Sequence, residues 1–155
     1  MAGGSMFGLS SFDNVTESPL FEAEEIDEFV GAAHGNLEKT IKIIEAKPLI
    51  LNCVSQIAKG DFETALGGAS HMGRKDIADV LISHGARMDI FNFTFLGFTD
   101  FVKDLLEKYP QLLQSYGPHG FTLLHHAKVG GHEVFAEWLQ EKGLNKDIFE
   151  NLFDF

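Results

Sequence analysis

The stretch from Gly120 to Leu144, GFTLLHHAKVGGHEVFAEWLQEKGL, reads as two short helices joined by a glycine break. Thr122 opens an apolar helix with Leu123, Leu124 and Ala127, and Gly130-Gly131 interrupts it. A second, amphipathic helix runs from about His132 to Lys142 and stops at Gly143. One such pair cannot enclose its own apolar side, so it has to be stacked on copies of itself.

Using glycines as register marks, the same layout recurs upstream. Ser18 as N-cap, Pro19 at the first helical position and the acidic Glu22, Glu24 and Glu25 predict a helix to about Ala33, ended by Gly35. Leu37 to Ala46 follows as its partner, closed by Pro48. After a connection containing Cys53, a helix from about Glu63 to Met72 meets Gly73, and Asp76 to His84 pairs with it before Gly85. Asp89 to Leu96, Gly97 and Thr99 to Lys108 form the third pair. Eight and nine residues past each register glycine stand Ile43-Ile44, Leu81-Ile82, Leu105-Leu106 and Leu139-Gln140, an apolar stripe in matching phase.

With Gly120, Thr122, Leu124, His125, Ala127, Gly131 and His132, the last unit resembles the ankyrin repeat, although Leu123 stands where that signature has proline. The second unit matches through Thr64, Leu66, Ala69, Gly73, Leu81, Gly85 and Ala86, with Gly67 in place of the turn histidine. The register glycines are spaced by 38, 24 and 34 residues, so the third unit is short and has no room for the usual turn finger. The resemblance, closest to small degenerate bacterial ankyrin-like proteins, implies an all-α fold. The expected form is a short ankyrin-like α-solenoid of about four helix-turn-helix units with a terminal capping helix. Residues 1–17 are then a flexible N-terminal tail and 18–155 a single repeat domain, with 145–155 as C-terminal cap. In that cap Asn145 would start a helix with Ile148, Phe149, Leu152 and Phe153 on one face. A homodimer formed through this segment is the alternative use of it.

Composition limits function. The 155 residues are 45% apolar, enough for one core, and a net charge of −11 repels nucleic acid and anionic lipid. Cys53 is the single cysteine, so an internal disulfide and a cysteine-based zinc site are excluded. No apolar run is long enough to span a bilayer, and a reducing cytoplasm is the expected location.

Seven histidines invite a metal hypothesis, yet no His-x-x-x-His pair occurs, and the adjacent His125 and His126 diverge on a helix. The resemblance gives His125 a turn-bonding role. The carboxylates of EAEEIDEF line an exposed helix face, no glycine pair has phosphate-loop spacing, and Cys53 lies among apolar residues. No catalytic, cofactor or metal residues are expected, and the chain reads as a non-enzymatic protein–protein interaction module. In ankyrin stacks partners sit on the concave face, which implies His34, His71, Met72, Phe95, Leu96, His119, Phe121 and Val129 as partner-binding residues. On that reading Phe95→Ala weakens binding more than stability, whereas Phe91, Phe93, Phe95 and Phe98 filling the gap in the third unit would reverse the result. Two alternatives stand beside it: a homo-oligomeric structural or assembly protein, and a small metal-dependent hydrolase using histidines near the last turn.

Overall fold

The computed structural model describes residues 20–150 and residue 152. It is mostly helical, with eight α-helices and one two-stranded sheet among the described residues. Helix α1 (Ala23–Ala33) and α2 (Leu37–Ala46) form the first pair, α3 (Ala65–His71) and α4 (Lys75–Ser83) the second. Then come α5 (Ile90–Leu96) with α6 (Thr99–Lys108), and α7 (Leu123–Val129) with α8 (Glu133–Glu141). Strands β1 (Val54–Ala58) and β2 (Asp61–Thr64) make an antiparallel hairpin between the first two pairs.

The periodicity has its physical counterpart in burial. Ile44, Leu81, Leu106 and Leu139 are all buried, while their neighbours Ile43, Ile82 and Leu105 are partly covered and Gln140 is exposed. Gly73, Gly97 and Gly131 take φ of +69°, +84° and +77°, left-handed turns that glycine adopts without a Cβ penalty. Each lets a second helix fold back on its first. The first helices pack on one another, α1 on α3 and α3 on α5, and α7 touches both α3 and α5. Two buried clusters result, one centred on Phe29, Ile50, Leu66 and Leu81, the other on Val102, Leu124, Phe135 and Leu139.

Several local expectations need correction. Ser18 and Pro19 lie outside the described residues, as does the tail at 1–17. Helix α1 begins at Ala23, where Glu22 and Glu25 form a reciprocal capping box, so the acidic run supplies the cap. The helix expected from Glu63 starts at Ala65 because Thr64 is its N-cap, accepting from the Gly67 N–H at 3.0 Å. Residues 61–64 are therefore strand. The expected capping helix after Asn145 is also absent from the described part of 145–155. Residues 146–149 instead run back along the turn before α7, where Ile148 bridges Phe121. The Thr122 N–H donates to Asp147 O at 3.0 Å and the Phe149 N–H to Gly120 O at 2.9 Å. Backbone pairing with the Gly120–Thr122 turn satisfies this segment, so it needs no helix of its own.

Candidate functional site

Strand β2 has an inverted pattern: Asp61 and Glu63 are buried, at 3% and 1% exposure, while Phe62 between them is 57% exposed. Burying a carboxylate is costly unless it is paired, so the inward acids mark a polar centre beneath the hairpin. Three histidines surround Glu63. His34 comes from the C-terminal end of α1, His71 from the last residue of α3, and His119 from the turn Pro118–Gly120.

All three use the same ring nitrogen. His71 Nε2 lies 2.8 Å from Glu63 Oε1, His34 Nε2 lies 3.3 Å from Oε2, and His119 Nε2 lies 3.5 Å from Oε2. His71 Nε2 and His34 Nε2 are 3.2 Å apart. The His71 ring meets His34 and His119 edge-on, with centroids 4.9 and 5.3 Å away, so the nitrogens converge and the rings do not stack. One ligand atom from each of His34, Glu63, His71 and His119 lies within 4.8 Å of all the others.

The opposite ring nitrogens are held by the scaffold. His34 Nδ1 donates to Val30 O at 2.9 Å, and His119 Nδ1 sits 3.0 Å from Asp61 Oδ2. Asp61 also accepts from the His119 backbone N–H at 3.1 Å. That bond holds His119 at φ +58°, the single non-glycine residue with positive φ among those described. Phe121 lies between His71 and His125, stacked at 4.9 and 4.1 Å, and His125 Nε2 donates to His71 O at 2.8 Å. The role implied for His125 thus becomes a bond to another helix.

Room for His34 comes from Gly68 of α3, where any Cβ would lie 2.8 Å from the imidazole. Burial pushes the Glu63 carboxyl up, but hydrogen bonds and charge from His34 and His71 outweigh it and hold the group at about 2. Glu63, as partner of its Nε2, raises the pKa of His34 against the opposing effect of burial. Even so, Glu63 Oε2 and His71 Nδ1 are buried without a hydrogen-bond partner.

Of the eight residues named from sequence, His34, His71, His119 and Phe121 come together here. Met72 and Val129 are exposed at 53% and 37%, and the Gly73 position lies against Val129. Phe95 is 3% exposed, in the first core cluster, and so presents no free surface, while Leu96 packs against that cluster and is half-buried. Phe91 is buried too, Phe93 is half-buried, and Phe98 is 50% exposed. Sequence reasoning missed Glu63 and Asp61 by placing Glu63 in a helix. The alternation D-F-E-T could have signalled a strand with both acids on one face.

No helix among the described residues is long and apolar enough to cross a membrane. No known family model matches this chain, and no curated protein matches it.

Proposed function

We propose that this chain is a short ankyrin-like α-solenoid serving as a non-enzymatic module that binds a protein partner. The observation that carries the reading is the repeated glycine turn and the bond that crosses from it. After Gly73, Arg74 donates to Gly35 O of the first pair; after Gly131, His132 Nε2 donates to Phe95 O of the third. Each turn is tied to the end of an earlier first helix, as expected of units that stabilise one another only through their neighbours. The presented surface lies at the C-terminal ends of α3 and α7, where exposed Met72 and Val129 provide its apolar part. A surface built on packed helix ends is preformed, so association immobilises few groups.

Affinity capture with the full chain and with a Met72→Glu, Val129→Glu variant tests this. Partners held by the first and lost by the second, with unfolding temperatures matched, support the reading. Identical captures by both proteins overturn it. Mass in solution separates the self-assembly alternative, which requires a stable oligomer. The alternative built on the histidines near the last turn gains one observation of its own, the joining of His119 to His34, His71 and Glu63.

A further inference from the structure

We propose that His34, His71, His119 and Glu63 form a binding site for a divalent transition-metal cation of the zinc class. None of the four ligands belongs to the apolar part of the interaction surface, although His71 directly precedes Met72.

The first support is distance. A tetrahedral zinc shell with bonds of about 2.0–2.1 Å puts neighbouring ligand atoms about 3.3–3.4 Å apart. Three contacts fall near that separation: His34 Nε2 to Glu63 Oε2 at 3.3 Å, His119 Nε2 to the same oxygen at 3.5 Å, and His34 Nε2 to His71 Nε2 at 3.2 Å. The fourth, His71 Nε2 to Glu63 Oε1 at 2.8 Å, involves the other carboxylate oxygen.

The second is tautomer. Metal-binding histidines usually donate their other N–H to a backbone carbonyl or a carboxylate, which turns the remaining lone pair toward the ion. His34 does so through Nδ1 to Val30 O, and His119 Nδ1 faces Asp61 Oδ2. His71 has no such partner; its ring is held by stacking on Phe121.

The third is the unmet demand at the centre. Glu63 Oε2 is buried with only the imidazole nitrogens of His34 and His119 facing it, at 3.3 and 3.5 Å, and neither contact has hydrogen-bond geometry. A cation satisfies the lone pairs and the carboxylate together. With three neutral imidazoles and Glu63, a divalent ion leaves one positive charge, which Asp61 behind His119 neutralises.

Three imidazoles disfavour calcium and magnesium, which take oxygen ligands, and suit zinc, cobalt, nickel or copper. Four protein donors, with three of their separations near the tetrahedral value, favour zinc and cobalt among these. They also complete the shell, the arrangement of sites that hold a metal, whereas catalytic zinc keeps a position for water. His34 and His119, with side chains 28% and 30% exposed, provide the entry side.

The test uses untagged full-length protein stripped with chelator and titrated with zinc chloride and with cobalt chloride. One equivalent of zinc is expected, together with the intense visible absorption of tetrahedral cobalt. His119→Ala, in a turn outside the helices, and Glu63→Gln should each weaken zinc binding at least about 100-fold, and Asp61→Asn about 10–100-fold. His84→Ala, on an exposed helix end, should leave affinity unchanged. Absence of saturable zinc binding, an octahedral cobalt spectrum, or affinity retained in both His119→Ala and Glu63→Gln overturns the proposal.

Discussion

Gly68 and His34 share one space: a Cβ on Gly68 would lie 2.8 Å from His34 Cε1 and 2.9 Å from Nδ1, well inside van der Waals contact. The glycine sits inside helix α3, where it costs about 0.5–1 kcal/mol relative to alanine. The missing side chain leaves the space that the imidazole occupies.

Gly68→Ala should therefore change stability little and the site a great deal. Alanine gains about 1 kcal/mol of helix propensity, while His34 swings out and loses its bond to Val30 O, worth about 1 kcal/mol. Urea unfolding should shift by less than about 1 kcal/mol, with zinc affinity falling about 100-fold, as for loss of a ligand. Full affinity in this variant contradicts the placement of His34.

Gly120→Ala should be severe. The position has φ +82°, and an added Cβ would lie 2.5 Å from Phe149 O, a backbone atom that cannot rotate aside. Strain and overpacking together predict a loss of about 2–4 kcal/mol by denaturant melts. Gly143→Ala, with φ +100° but open space around it, should lose only about 1 kcal/mol. Equal losses at the two sites would argue against docking of the 146–149 segment on the last turn.

Phe95→Ala should cost about 3–5 kcal/mol, as a large side chain removed from a packed core. Met72→Ala, exposed, should stay within about 0.5 kcal/mol. Thermal and chemical unfolding of both variants distinguishes core from surface, and a mild effect at Phe95 would return it to the binding face.

Acid should weaken the fold through His126. Burial lowers its pKa to about 4, with the bond to Thr122 O opposing and the nearby His125 and His71 adding to the lowering. The neutral form is favoured in the folded state, and the unfolded chain takes up the proton first. Stability contributed by His126 is present above the ordinary histidine pKa and is lost as pH falls toward 4, amounting to about 3 kcal/mol. His125, also lowered by burial, adds in the same direction. Glu63 behaves as a depressed acid, so its contribution persists through this range and is lost only as pH falls further toward about 2. Urea midpoints measured with chelator present should show the drop, and His126→Asn, which keeps a donor for Thr122 O, should flatten it.

The amino-acid sequence alone determined the helical pairs and where each first helix ends, because those signals are local, while the starts of α1 and α3 fell later than the sequence indicated. Pro48 bars helix continuation, and Gly73, Gly97 and Gly131 supply left-handed turns. Thr64 and Thr122 accept from backbone N–H groups three residues on. Helical period also placed Ile44, Leu81, Leu106 and Leu139 inside. The hairpin at 54–64 escaped that reading because its inward residues are acids and its outward residue is Phe62, the reverse of ordinary patterning.

Only the tertiary structure decided the His34, Glu63, His71 and His119 cluster. Its members come from four separate segments, and local spacing tests only pairs on one helix face. Their convergence depends on α1 approaching α3 over Gly68 and on Asp61 fixing the turn at His119. Both are contacts between segments far apart in the chain, and they exist only once the helical pairs have packed.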